Sequence, residues 1–464
     1  MNISNDLTVN DLIRQLENVW EHSARKIHLI RREYDTSKGS PVFTEAGKYT
    51  TRGWTEWTQG FQFGGEIIQF DATGEQEFLE LGRTATLQLM APHITHIGVH
   101  DHGFNNVSTY GSLLRLMEEG KIDPDPWQKN FYELALKSTG AVQASRWTYA
   151  ADGIGFIHSF NGPHSLFVDT MRTLRALALS HRLGHSLFGE HDEQISLLGR
   201  LIEHAELTAT YNIYYGEGRD SYDLLGRTAH EAVFNVNDGQ FRCPNSQQGY
   251  SPFSTWTRGL SWAMCGYPEQ LEFLGTLPDG ELEPFGGREE IEQMMLKAAE
   301  ATCDFYIDNT SSDGIPYWDT GAPDLHKLGD YRSSVADPYN EYEPVDSSAA
   351  AIGAQGLLRL GRYLTSKGEK KKGDKYWQAG LTVAKTLMDE PYLSTDDDHQ
   401  GLLLHSVYHR PNGWDYIPKG QKIPCGESSM WGDYHMRELA LYLSRVAGEE
   451  PYYTFFHGIG GNQP

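Results

Sequence analysis

Three short segments carry side chains able to do chemistry together. His100-Asp101-His102, in "GVHDHGFNN", brackets one carboxylate with two imidazoles. Asp169, in "HSLFVDTMRTLRAL", sits at the margin of an apolar stripe of Leu166, Phe167, Thr170, Met171, Leu174 and Leu177. Arg258, in "STWTRGLSW", stands between Trp256 and Trp262. The first segment suits metal ligation, acid–base work or a tight turn fixed by Gly103. On an extended backbone His100 and His102 share a face and Asp101 points the other way. A metal would then need a further ligand, and no second His/Glu cluster of recognisable spacing follows. Asp169 falls in the first turns of an expected helix, where the macrodipole favours an acid. At the edge of an apolar face it could also have a raised pKa and donate a proton. Arg258 and Trp262 are i, i+4 neighbours. An arginine framed by aromatics grips a carboxylate bidentately in a dry site, or simply packs on tryptophan at a helix edge.

The bulk properties narrow the chemistry. Formal charge is -24, from 63 acidic and 39 basic residues, which argues against nonspecific nucleic-acid binding. No apolar run approaches the roughly 20 residues of a membrane span. The N-terminus has neither a basic nor an apolar leader region, which predicts a cytoplasmic protein, or a periplasmic one had a leader been removed. Cys243, Cys265, Cys303 and Cys425 are widely spaced and read as reduced thiols. There is no P-loop, no G-x-S-x-G elbow and no H-E-x-x-H helix. Eleven Trp and 25 Tyr in 464 residues leave rings to stack on sugars beyond those that fill a core.

Helices must position these groups. Val9, Leu12, Ile13, Leu16, Val19 and Trp20 keep helical spacing. Residues 58–71 and 75–90 predict two helices broken at Thr73-Gly74. Pro163 is placed to open a helix running to Arg182. Helices are also predicted over 192–215, 256–275, 287–308, 346–364, 373–390 and 430–447. The strand signal is confined to a hairpin around Asn237-Asp238-Gly239. "KGEKKKGDK" predicts a solvated loop, and the tail from about residue 455 a frayed end. No linker divides the chain, so residues 1–464 read as a single all-α domain, a superhelix or a barrel of helical hairpins.

Seven segments in order resemble glycoside hydrolase family 88, the unsaturated glucuronyl hydrolases. They are "WTQGF" (57–61), "HDHGF" (100–104), "FVDTM" (167–171), "WTRGLSW" (256–262), "DGIPYWD" (313–319), "DSSAAAI" (346–352) and "WGDYHMRELAL" (431–441). The resemblance implies an (α/α)6 barrel and an enzyme that needs no metal or cofactor. Its substrate would be a lyase-derived oligosaccharide ending in a 4,5-unsaturated uronic acid. Hydration of the vinyl ether puts a proton on C4 and water on C5, and the neighbouring sugar leaves. Residue by residue, the resemblance makes Asp169 the general acid/base and Asp101 the second essential aspartate. It places His230, Gln248 and Arg258 on the substrate, the last on its carboxylate, with Trp256 and Trp262 beside it. Trp57, His100, Trp147 and Tyr342 match pocket positions. The chain departs from the family pattern at His102 and at Leu260-Ser261. A uronosidase acting on saturated glucuronides and a noncatalytic sugar-binding helical protein are the alternatives. Acid–base chemistry on Asp169 would require its carboxyl to be raised toward neutrality, with Asp101 ionised beside it.

Overall fold

The segments with the strictest helical periodicity become the helices of a closed double ring. The computed structural model describes residues 1–52 and 57–456. Helices alternate along the chain between half-buried and almost wholly buried. The half-buried set is α1 (Ile13–Glu33), α3 (Gln76–Leu89), α5 (Pro126–Ser145), α7 (Leu197–Tyr211), α9 (Arg288–Asn309) and α11 (Lys370–Leu387). The buried set is α2 (Gln59–Thr73), α4 (Gly103–Gly111 running on through Ser112–Glu118), α6 (Thr170–Thr173 and Arg175–Arg182), α8 (Thr257–Leu274), α10 (Ser347–Ser366) and α12 (Met430–Ala447). Each buried helix packs on the next buried helix, and α12 packs back on α2. The result is an (α/α)6 barrel, six inner helices enclosed by six outer ones.

Helix starts follow local capping chemistry. Asp125 accepts the N–H of Trp127 (2.8 Å) and Gln128 (3.0 Å), and Pro126 takes the first helical position of α5. Asp346 accepts from Ser348 N (3.1 Å) at the start of α10. Ser429 accepts from Gly432 N (3.1 Å) at the start of α12. An inner ring of helices must bury charge as well as carbon, and the charges are paired. Arg172 of α6 reaches Glu269 of α8 and Glu438 of α12, and Arg359 of α10 holds Glu272 at 2.6 Å.

Small sheets lie in the connections. β1 (Phe43–Glu45) pairs with β2 (Lys48–Thr50), β3 (Trp147–Tyr149) with β4 (Gly155–Ile157), and β6 (Leu187–Phe188) with β7 (Gln194–Ile195). β5 (Ser165–Phe167), β8 (Glu231–Phe234) and β9 (Phe241–Asn245) form an antiparallel sheet. The β8–β9 pair is the hairpin expected around residues 237–239, with a register shift at Val233/Phe234.

Four expectations are corrected. Pro163 opens no helix: residues 165–167 pair in register with 231–233, and helical backbone begins only at Thr170. The 103–118 and 126–145 helices carry no sharp apolar period and were not anticipated. The basic run 367–375 is not a loop, because α11 starts at Lys370 and its lysines face solvent from its first turns. The chain does not fray at 455: Phe455 and Phe456 are buried, and the guanidinium of Arg175 lies 5.1 Å from the Phe455 ring. The remainder of that tail, 457–464, lies outside the described residues, as does 53–56. No described helix is long and apolar enough to cross a membrane.

Candidate active site

Inner-helix N-termini and the loops before them converge on one cavity of about 240 Å³, toward the small end of ligand sites. Asp101, Asp169, His100, Gln248, Trp256 and Arg258 line it, with Trp57 and Trp262. Thus segments more than 150 residues apart in sequence meet as expected. Trp147 does not: it lies on β3 with the Arg200 guanidinium 4.5 Å from its ring. Tyr342 lines a different cavity. Phe160, Tyr408, His409 and Phe104 also line the first cavity, with Gln247 and the 96–99 edge, and were missed. The "HSFNGP" and "HSVYHR" segments around Phe160 and Tyr408 show only loop character, so no periodicity could have flagged them.

Gly103 brings the two aspartates together. A Cβ there would meet Thr173 O at 2.4 Å and Thr173 Cα at 2.7 Å. Only glycine lets the start of α4 press onto the first turn of α6, which follows Asp169. Gln143 Nε2 (2.9 Å) and Thr173 Oγ1 (3.1 Å) both donate to the His100 carbonyl, fixing the residue before Asp101.

His100 and His102 do not act as a pair. His102 faces away from the cavity lining. Its Nδ1 meets Thr139 Oγ1 at 2.6 Å on α5, and its Nε2 meets the His96 carbonyl at 3.0 Å. It therefore ties the 96–99 edge of the cavity to the outer helix, which accounts for the departure at this position. The extended-segment metal geometry fails for the same reason: helical backbone begins at Gly103, and both His102 nitrogens are engaged. Among the described residues no three His, Cys, Asp or Glu are grouped to hold a metal ion.

The electrostatics reverse the expected protonation of the aspartates. Burial pushes Asp101 up to about 8, and the neighbouring Asp169 charge adds to this while Arg146 opposes it. Burial also pushes Asp169 up, but the His230 ring, the His100 ring and its own backbone N–H outweigh it, so its carboxyl sits below the usual range. Asp101 therefore favours its protonated form and Asp169 its ionised form. His100, buried between Phe160 and Phe167, is pushed down to about 3 by loss of water and is neutral.

His230 Nδ1 accepts the backbone N–H of Gln247 (3.1 Å) and Gln248 (3.3 Å). Its proton must then be on Nε2, which faces Asp169 Oδ1 at 3.5 Å. Asp169 Oδ1, His230 Nε2 and both ring nitrogens of His100 are buried without a close hydrogen-bond partner. Unsatisfied polar atoms facing one another in a cavity are what a site built to take up a polar ligand presents.

Arg258 is more constrained than expected. Its guanidinium lies between the rings of Trp256 (4.7 Å) and Trp431 (4.9 Å). Nη1 donates to Asp346 Oδ2 (2.8 Å) and the Val407 carbonyl; Nη2 donates to Gln248 Oε1 (2.9 Å) and the Tyr408 carbonyl (2.8 Å). Both terminal nitrogens are fully used. An incoming carboxylate gains a bidentate grip only by displacing at least one of these acceptors.

No family model matches the chain. Among curated proteins it is 24% identical over 387 residues to an unsaturated glucuronyl hydrolase of Formosa agariphila, covering 82% of this chain and 78% of the relative. It is 23% identical over 412 residues to the unsaturated glucuronyl hydrolase of Bacillus sp. GL1, covering 86% and 89%. The chain is a relative of the unsaturated glucuronyl hydrolases. Solved structures agree in fold. The unsaturated glucuronyl hydrolase of Streptococcus agalactiae superposes with a TM-score of 0.70 at 20% identity, over 97% of this chain and 95% of that one. The Bacillus sp. GL1 structure gives 0.67 at 20% identity, over 92% and 97%.

Proposed function

We propose that the chain is a glycoside hydrolase that removes 4,5-unsaturated uronic acids from the nonreducing ends of lyase-derived oligosaccharides. Its curated relatives act in name on unsaturated glucuronyl and chondroitin disaccharide substrates. The observation that carries the reading is the pair of buried carboxylates, Asp101 and Asp169, with separated proton affinities on one aromatic-walled cavity.

The pair holds one proton in the free protein. A uronate carboxylate entering this dry cavity raises the proton affinity of ionised Asp169, which takes up a proton from solvent before the chemical step. Asp169 delivers that proton to C4, whose bonding electrons come from the C4=C5 π bond. The ring oxygen stabilises the cation left at C5. Asp169, again a carboxylate, takes a proton from the water that attacks C5, and the hemiketal opens to release the next sugar. His230, fixed as its Nε2–H tautomer, holds the Asp169 carboxylate or the attacking water. Arg258 supplies a positive charge close to the uronate, with Gln248 as the exchangeable partner. Trp57, Trp256 and Trp262 form the wall that excludes water and stacks on the ring. These roles need no metal or organic cofactor, and all of them fall within one domain.

The test is loss of vinyl-ether absorbance with unsaturated disaccharides from chondroitin, heparin, ulvan and gellan. Unchanged absorbance with all four refutes the reading. Nitrophenol released from a saturated aryl glucuronide, with no vinyl-ether turnover, assigns a plain uronosidase instead.

A further inference from the structure

Two of the chain segments that line the first cavity run on into the lining of a second. Gln247 and Gln248 line the first, and Tyr250 the second; Tyr408 and His409 line the first, and Arg410 and Pro411 the second. Gln248 and Tyr250 are separated by at most about 7 Å of chain, and His409 and Arg410 are consecutive. The second cavity, about 500 Å³, thus shares two wall-forming stretches of chain with the first.

Its lining suits a carbohydrate. Tyr250 and Tyr342 leave 52% and 39% of their surface exposed there, unusual for large aromatics beside a polar cavity. Trp318 is held from behind by its Nε1–H donating to Glu343 Oε2 at 2.8 Å. The Arg410 Nε–H is buried without a hydrogen-bond partner. Asp415, the carboxylate acting on Arg410, is occupied by the backbone N–H groups of Tyr408 and His409. Three carboxylates (Asp324, Glu341, Glu343) face two cations (Arg410, Lys422). Glu341 is already paired with Lys422 at 2.7 Å, and Asp324 with Lys327 at 2.9 Å. With Lys327 counted, whose Nζ also lies 5.8 Å from the Tyr342 ring, the charges balance; flat rings, one spare N–H donor and no net positive charge match uncharged sugar rings rather than a heavily sulfated chain.

We infer that this cavity is an outer subsite that binds uncharged sugars of the leaving chain beyond the one joined to the uronic acid. The inference rests on the proposed activity, which sets the direction of the chain. Substrates longer than a disaccharide are then preferred, and Tyr250 and Tyr342 carry the preference.

The experiment compares an unsaturated disaccharide with the same uronate on a neutral tetrasaccharide, using the full chain and the Tyr342→Ala and Tyr250→Ala variants. Expected is a higher kcat/KM for the tetrasaccharide. Each variant should lose about tenfold on it, mainly through KM, with disaccharide turnover unchanged, a size set by loss of one ring contact. Equal losses on both substrates, or none, overturn the inference. A sulfated tetrasaccharide used as well as the neutral one overturns the ligand class. Should neither substrate be turned over, the catalytic reading fails by itself. Binding of the saturated neutral tetrasaccharide by titration calorimetry then decides the subsite: weakening in Tyr342→Ala supports it, and no binding to the unmodified protein refutes it. Thermal melting of both variants separates loss of contact from loss of fold.

Discussion

His230 Nδ1 accepts two backbone N–H groups, so its one remaining N–H faces Asp169 across 3.5 Å. The loop carrying Gln247 and Gln248 thereby fixes the tautomer of the ring that holds the carboxylate. Asp169→Asn keeps the shape but removes the group that exchanges protons. Turnover should fall by about 10²–10⁴-fold while the melting temperature changes little, read by vinyl-ether absorbance and a thermal melt. Near-normal turnover in this variant would remove Asp169 from the mechanism.

Asp101 predicts an unusual pH dependence. Its carboxyl is raised to about 8 in the folded chain against about 4 when unfolded. Between these values the native state binds more protons than the unfolded state, so stability falls as pH rises through that window. Asp101→Asn should therefore raise the melting temperature relative to the parent at pH 8 and not at pH 4. In the parent, kcat/KM should fall above about pH 8 as Asp101 loses its proton. Asp169 acts oppositely: its lowered carboxyl contributes stability above the ordinary carboxylate range that is lost on acidification through its folded pKa.

Gly103→Ala tests the close approach of α4 to α6. A methyl group meets Thr173 backbone atoms at 2.4–2.9 Å, and backbone cannot swing aside as a side chain can. Stability should drop by about 1–3 kcal/mol, with a larger proportional loss of kcat than of KM because Asp101 is moved from Asp169. Denaturant unfolding and steady-state kinetics together check this.

His102→Ala should behave differently from His100→Ala. Removing His102 takes the ring from the His96 carbonyl and leaves Thr139 Oγ1 with Asn106 alone, costing about 1–3 kcal/mol with modest kinetic change. His100→Ala removes a neutral ring with no hydrogen bonds of its own. It should affect turnover more than stability.

Asp346→Ala leaves the buried Arg258 guanidinium without its counter-ion and should cost about 3–5 kcal/mol. Arg258→Lys keeps the charge but cannot serve four acceptors in a plane. It should raise KM for the uronate and lower the melting temperature.

The helical barrel was legible where apolar spacing was strict, as in α8, α10 and α12. It was illegible in 103–118, where "FNNVSTYGS" buries Asn, Ser and Thr on α4. The start of α5 was present as Asp125-Pro126 without an apolar period behind it. The three-residue strand β5 reads as helix because Leu166 and Phe167 extend the helical stripe. Most site residues were reached through motif order, while Trp147 and Tyr342 lie off the central cavity. What no sequence pattern holds is which aspartate keeps the proton. That depends on how completely each is dehydrated and which ring faces it, both products of tertiary packing.

The ring closes through its most distant parts. Thr44 N–H meets the Ser428 carbonyl and Met430 N–H meets the Val42 carbonyl, each at 2.9 Å, and Trp431 of the last helix supports both Trp57 and Arg258. A linear stack of hairpins could mature one unit at a time. This chain cannot, because the wall behind its guanidinium is supplied by the final helix. Loop closure over nearly the whole sequence is slow. Catalytic competence should therefore arrive late in folding, and regained activity should report seam closure more faithfully than regained helix content.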